Sequence, residues 1–465
     1  MTEPLASPAA CWWAPRAWLP GGWAEQVLLQ AGADGRWAEI TADVAEVPAH
    51  ATRLSAPVLP GLVDAHSHAF QRAFAGLAER RDSPSDDFWS WRDRMYRVAL
   101  RITPEQLRAV ATQLYIELLQ GGYTQVCEFH YLQHAPDGRP YDDALTLATM
   151  LADAAADAGI GLTLMPALYE RAGFAQPSLR PDQRRFACGA AEVFACAQAI
   201  ERLRRPLLRA GLVVHSLRAA APASVHALQR LAQSFDGPIH IHASEQLAEV
   251  DECLAATGAR PIEWLAREGL LDARWQLVHA THTVAAEIEA VARSGAGVVL
   301  CPSTEGNLGD GLADLPRWLA QGVPLSLGSD SHVTRDWREE LRWLDYGQRL
   351  VLRQRNVSAA PGVQASTAAR LWQRVQDGGA RAAGEPAWGL MVGARADLLL
   401  GDERDPATLG IAPTQCLDAM VFSSPSRPWA GVMVAGRWLI EGGRHALQER
   451  AADDFVQAMQ ALWCE

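Results

Sequence analysis

Short apolar runs recur along the middle of the chain, and segments of helical periodicity lie between them. The runs fall at 59–65, 123–129, 161–168, 211–216, 238–243, 275–280, 296–301 and 323–328. The helical patterns include 104–120, 142–157, 189–204, 222–234, 283–294 and 337–353. Eight apolar strands separated by helices predict a closed, parallel (β/α)8 barrel of the TIM type. The strands are continuous in apolar character and do not alternate, which fits burial on both faces.

Both ends of the chain have a different texture. Residues 1–57 hold short strand patterns, VLLQ near 27 and WAEITADV after the AGADGR turn. Beyond about 385, Leu398-Leu399-Leu400 and Val432-Met433-Val434 are again strand-like, with Gly389, Gly393 and Gly436 marking turns. The expected organisation is therefore a barrel over 58–385 and a small β-sandwich domain built from 1–57 and 386–448. An amphipathic helix within 449–465 ends the chain. SGAGVVL (294–300) contains a G-x-G, but it precedes a strand and opens no helix, so a turn is expected there and not a nucleotide loop.

At 465 residues the chain has room for such a barrel and a small second domain. A hydrophobic content of 49% with 21% charged residues marks a globular protein. The net charge of −12 argues against binding nucleic acid or an anionic membrane. No run reaches 18 uninterrupted apolar residues, and no signal peptide is expected from the proline-containing start. The eight cysteines (11, 127, 188, 196, 253, 301, 416, 464) are scattered without a C-x-x-C pair, and reduced thiols in a cytoplasmic protein are expected. All 42 basic residues are arginines. A chain without lysine excludes Schiff-base chemistry, a Walker lysine and a carbamylated lysine bridging two metals.

Candidate chemistry sits at the strand ends. His66-Ser67-His68 closes the first run, and two histidines two apart on a strand point the same way. His242 ends the fifth run in HIHASEQ with Glu245 three residues on, His279 ends the sixth, and Asp330 follows the eighth. The C-terminal ends of barrel strands are where active sites lie. Three imidazoles and one carboxylate, from His66, His68, His242 and Asp330, suit one divalent ion, Zn²⁺ as the expected ion and Fe²⁺ as the alternative. Such an ion brings the pKa of water from 15.7 to about 7. Glu245 is then placed to move protons, and His279 to hydrogen-bond the reacting oxygen. His240 and His242 share a face by spacing; proximity to the strand end favours His242 as the ligand.

This constellation resembles the amidohydrolase superfamily in its mononuclear deaminase branch, over nearly the whole chain. Dinuclear branches usually carry a carbamylated lysine on the fourth strand, and GLVVHSLR has none. A narrower resemblance, to the family of formimidoylglutamate deiminases, rests on longer stretches. They are HSHAFQRAFAGL (66–77), FWSWRDRMYR (88–97), EFHYLQH (128–134), VVHSLRA (213–219), HIHASEQ, TEGNLGDG (304–311), GSDSHV (328–333) and ELRWLDYGQR (340–349). It implies hydrolysis of N-formimino-L-glutamate to N-formyl-L-glutamate and ammonia, with Glu245, His279 and Asp330 catalytic, and a homodimer. It also implies that Gln71, Arg92, Tyr131, His215 and Arg218 hold the dicarboxylate part of the substrate.

Guanidinium binds carboxylate in a bidentate way, so an acidic protein that takes a dicarboxylate needs arginines in its site. Arg218 lies three residues after His215 at the fourth strand end. Arg92 lies with Arg94 and Arg97 in a segment that reads equally as a solvated helix face. His130, His134, His332, Glu305 and Asn307 are further candidates for the rim or for supporting contacts. Two alternatives stand beside this reading: a deaminase of heterocyclic amines on the same architecture, and a non-catalytic barrel that serves as a binding protein.

Overall fold

The computed structural model describes residues 10–81, 88–424 and 426–463. Eight parallel strands close a barrel: β1 (Leu62–Ser67), β2 (Tyr123–His130), β3 (Gly161–Leu168), β4 (Leu212–Ser216), β5 (Ile239–Ala243), β6 (Trp275–His279), β7 (Gly297–Leu300) and β8 (Leu325–Leu327). Neighbours in this order pair in parallel, and Leu327 pairs with Asp64 to close the ring. Every residue of β1, β2 and β3 is buried, as continuous apolar strands covered on both faces require.

The first strand differs from its expected bounds of 59–65. Val58–Leu59 belongs to a different sheet, where Val58 pairs with Ala17 and Leu59 with Leu399. Pro60 has no N–H to continue a ladder. A Cβ on Gly61 would lie 2.2 Å from Thr124 Oγ1, so only glycine lets the chain pass that close to β2. The barrel strand begins afresh at Leu62, which carries it further and puts His66 inside the strand with His68 just past its end.

The helix Thr367–Ala383 ends beneath the opposite mouth of the barrel. Thr163 Oγ1 donates to Ala383 O at 2.9 Å, and His240 Nε2 lies 2.9 Å from Ala382 O. His240 is thus an interior residue one layer below His242, held to a carbonyl. A Cβ on Gly378 would lie 2.0 Å from Leu325 O, so this glycine sets how tightly the helix packs.

The terminal strands form one mixed sheet in the order 444–445, 437–441, 431–434, 398–400, 58–59, 11–19, 22–31 and 37–41, with 52–53 also beside 11–19. The sheet curls over its own core. Trp12 meets Trp438, from a strand four places away, at 6.4 Å, and Trp37 at 6.1 Å. Buried Arg395 joins this sheet to the barrel: it pairs with Asp397 at 2.7 Å and donates to Gln125 Oε1 at 2.7 Å and Thr124 O at 2.8 Å. The last helix, Gln448–Trp463, lies on the helix Pro104–Gln120, and Trp463 Nε1 donates to Ala73 O at 3.0 Å. Among the described residues no helix is long and apolar enough to cross a membrane. Seven cysteines are unpaired; Cys464 lies outside the described residues.

Candidate active site

One cavity opens at the C-terminal mouth of the barrel. It brings together His68, Gln71, Arg92, Tyr131, His215, Arg218, His242, Glu245, His279 and Asp330. His66 lies directly behind, fully buried.

Donor atoms converge at the floor. Asp330 Oδ1 lies 3.4 Å from both His66 Nε2 and His68 Nε2. His242 Nε2 faces His66 Nε2 at 3.1 Å. Two overlapping triads, His66–His68–Asp330 and His66–His242–His279, hold their ligand atoms within 4.8 Å of one another. Burial keeps the imidazoles uncharged: it lowers His66 to about 3, and lowers His68 and His242 as well. Burial pushes Asp330 the other way, but hydrogen bonding to His66 and the positive charge of His279 outweigh it and hold the carboxyl below the usual range. Neutral imidazoles around one carboxylate make a cluster that can hold a divalent metal.

The surrounding hydrogen bonds orient these groups. His68 Nδ1 donates to Phe129 O at 3.0 Å, which leaves Nε2 free as a ligand atom. The His242 ring is stacked between Phe129 (4.2 Å) and His279 (5.4 Å). Asp64 accepts from Ser329 N at 2.8 Å and Ser329 Oγ at 2.6 Å, which ties β1 to the β8 end. Glu128 accepts from Ser67 Oγ and Ala69 N, both at 2.7 Å. His332 Nε2 sits 3.1 Å from His68 O and Nδ1 3.0 Å from Ser329 Oγ, so it holds the backbone behind a candidate ligand. A Cβ on Gly328 would lie 2.5 Å from the His66 Cβ; glycine there lets the two strands close. Ser244, His279, Ala280, Asp330 and His332 all have positive φ, between 48° and 69°. Left-handed backbone at non-glycine residues is costly and clusters at working sites.

Glu245 lies beside the donor cluster, with an oxygen 3.7 Å from His279 Nε2. Burial raises its pKa to about 7, against the pull of His279 and Arg218. His279 is opposed by burial, yet the carboxylates of Glu245, Glu305 and Asp330 outweigh that and raise it. Glu249 accepts the Ser244 N–H at 3.3 Å and the Glu245 N–H at 3.0 Å, which fixes the turn that carries Glu245.

The other half of the cavity is aromatic and cationic. The helix Phe88–Ala99 crosses the mouth and supplies Phe88, Trp91, Arg92, Met95 and Tyr96. Arg92 therefore faces the cavity. Its guanidinium lies 4.4 Å from the Trp89 ring, and that of Arg218 lies 5.5 Å from the same ring. Neither arginine has a carboxylate within ion-pair distance among the described residues. Arg92 Nε and Arg218 Nη1 are buried without a hydrogen-bond partner, as is Gln71 Oε1. Gln71 Nε2 donates to Tyr131 Oη at 3.0 Å, and His215 packs on Tyr169 at 4.4 Å.

Several further candidates stand outside. His134 is bonded to Ala187 O (2.8 Å) and lines a separate surface cavity. His130 is buried but does not line the site. Glu305 lies behind His279, 3.5 Å from Nδ1, and Asn307 donates to Glu79 at 2.7 Å near the surface. Asp64, Glu128, Glu249, Tyr96, Tyr169 and Gln183 are the residues that sequence reasoning missed. Asp64 was the most visible of them, two residues before His66 on the same strand face.

Residues 58–439 match the family model described as "Amidohydrolase family". The chain belongs to the amidohydrolase family. This amidohydrolase is 48% identical over 453 residues to the formimidoylglutamate deiminase of Pseudomonas aeruginosa, covering 97% of this chain and 98% of that one. It is 30% identical over 349 residues to a 5-methylthioadenosine/S-adenosylhomocysteine deaminase of Natronomonas pharaonis, covering 74% and 73%. A crystal structure of an amidohydrolase from Brucella melitensis matches with a TM-score of 0.91 at 40% identity, over 97% of this chain and 99% of that one. An adenosine deaminase from Xanthomonas campestris, solved with bound zinc, shares the fold at a TM-score of 0.81 and 22% identity, over 98% of both chains.

Proposed function

We propose that this amidohydrolase hydrolyses N-formimino-L-glutamate to N-formyl-L-glutamate and ammonia. The observation that carries the reading is one cavity with a metal-type donor cluster at its floor and two arginines in its wall, Arg218 buried and Arg92 half-buried, each with a buried guanidinium nitrogen that has no hydrogen-bond partner. The substrate has two carboxylates at one end and a formamidine at the other, and the cavity has that polarity. The similarity to the Pseudomonas aeruginosa deiminase supports the same assignment. The aromatic walls suit a heterocyclic amine too, but a neutral ring gives the two guanidiniums no partner, and an unpaired buried cation is costly.

His66, His68, His242 and Asp330 would hold the ion, read as Zn²⁺ from three imidazoles and a carboxylate. A bound divalent ion supplies water acidic enough to react at neutral pH. The water oxygen adds to the formimino carbon and the carbon–nitrogen bond to the terminal nitrogen breaks. Glu245 takes the first proton that the water loses and hands it to the formimino nitrogen; the hydroxyl of the tetrahedral adduct gives up the second, by way of Asp330, to the same nitrogen, which leaves as ammonia while the carbon–oxygen double bond forms. The raised pKa of Glu245 fits a group that must both accept and donate. His279, 3.7 Å from Glu245 and 3.9 Å from Asp330, is placed to donate to the oxygen as the carbon becomes tetrahedral. Arg92, Arg218, Gln71, Tyr131 and His215 hold the glutamate part. The seven unpaired thiols fit a reducing, cytoplasmic setting.

The test is ammonia release from formiminoglutamate by the zinc-loaded protein, beside a panel of purines, pyrimidines and pterins. Turnover of a heterocycle with none of formiminoglutamate would overturn the assignment. Arg218→Met should raise KM on the order of 10²-fold or more, since a bidentate charge-assisted contact is lost, and Arg92→Met should act in the same direction. Unchanged KM in both variants would leave the carboxylates without a binding site in this cavity.

A further inference from the structure

Two phenols at the cationic end of the cavity carry two hydrogens, at least one of which no group among the described residues takes. Tyr96 comes from the helix across the mouth and Tyr169 follows β3; both are buried and both line the cavity. Behind them stands Gln183, fully buried in the short turn Pro181–Gln183. Its amide has one orientation, because Oε1 accepts the Arg180 N–H at 3.0 Å. The amide nitrogen must point the other way, and it donates to Tyr169 Oη at 2.9 Å and Tyr96 Oη at 3.2 Å. Both amide hydrogens are used there.

A phenol that accepts from an amide still has its own hydrogen to give. Their common donor, the Gln183 amide, brings the two hydroxyls together, so at most one of the two hydrogens can be taken within the pair. The last O–H then has no acceptor among the described residues. A buried donor left unmatched costs free energy, and a ligand can remove that cost. The surroundings define the ligand. Arg218 and Arg92 line the same end of the cavity as the two phenols, and the Arg92 guanidinium lies 5.6 Å from the Tyr96 ring. A hydroxyl donor beside two guanidiniums selects an anionic oxygen.

We infer that Tyr169, backed by Tyr96, donates a hydrogen bond to a carboxylate oxygen of the bound substrate, and that Gln183 is the positioning residue that aims the pair. This rests on the dicarboxylate reading above and extends it: selectivity for a dicarboxylate comes from oriented phenols as well as from arginines. A neutral heterocycle would leave the hydroxyl unmatched.

The test combines steady-state kinetics on formiminoglutamate with calorimetric titration of glutarate into the zinc-loaded protein. Tyr169→Phe should raise both KM and the glutarate Kd by about ten- to a hundredfold, the range of one hydrogen bond to a charged group, while kcat falls by less than about threefold. Tyr96→Phe and Gln183→Leu should shift the same two quantities in the same direction, and they carry the test if Tyr169→Phe does not fold. KM and Kd within about twofold of the parent in the folded variants overturns the inference, as does a parent protein that fails to bind glutarate. A parent that binds glutarate but releases no ammonia overturns the proposed reaction alone, and the glutarate titration of the variants still decides the role of Tyr169.

Discussion

An Asp330→Asn variant is expected to fold, to lose its metal, and to lose activity by at least about 10³-fold. Asp330 is the one anionic donor in the proposed ligand set, and its Oδ1 stands 3.4 Å from two imidazole nitrogens. Asparagine keeps the shape and removes the charge. It presents one neutral oxygen and an NH2 group that cannot act as a ligand. Losing a primary ligand should weaken metal binding beyond the ten- to hundredfold that loss of an outer partner causes.

The fold should survive, because the backbone of residue 330 and not its side chain helps close the barrel: Asp330 N donates to His66 O at 2.9 Å, and His68 N donates to Asp330 O at 3.2 Å. Residue 330 has φ 49°, and asparagine is among the residues that tolerate the left-handed region best. Metal content by atomic absorption, a circular-dichroism melt and the rate of ammonia release check the three parts. A variant with a full metal complement and near-parent activity would remove Asp330 from the ligand set.

What could be read in the sequence followed from how directly a local pattern constrains space. Residues that end apolar runs could be placed at one mouth, because a parallel barrel puts every strand end there. His66, His68, His242, His279 and Asp330 come together for that reason. Arg92 could not be placed. Helical periodicity marks a face on 88–99, but it gives no direction for the helix relative to the barrel, and only the folded path shows it crossing the mouth. The start of β1 was set too early, because an apolar run was read through Pro60-Gly61, where the chain passes from one sheet to another. The supporting groups were invisible for a different reason. Ser329 reaches Asp64 across 265 positions and Ser67 reaches Glu128 across 61. No spacing rule links such pairs, which meet only when the barrel closes. Tyr96, Tyr169 and Gln183 are another such set, joined from a helix, a strand end and a turn.

Glu245→Gln should lower kcat by roughly 10²–10⁴-fold, the range that a positioned general acid–base contributes. Unlike Asp330→Asn, it should leave the metal content at the parent level and KM within a few fold. Glu245 is not among the convergent donors at the cavity floor, and the arginines in the wall are untouched. Glutamine fills the same volume, and the main chain stays in place because Glu249 holds the N–H groups of residues 244 and 245, not the side chain. What disappears is the ability to carry a proton. With its pKa raised to about 7 by burial, Glu245 has both forms available near neutral pH, so it can take a proton from water and return it to nitrogen within one turnover. An amide can do neither. Single-turnover kinetics on the zinc-loaded variant measures this step apart from product release. A kcat within tenfold of the parent would move proton transfer to another group, and His279, 3.7 Å away, is the next candidate. The two variants thus separate two roles at one cavity floor: one removes the ion and the activity together, the other removes the activity while the ion stays.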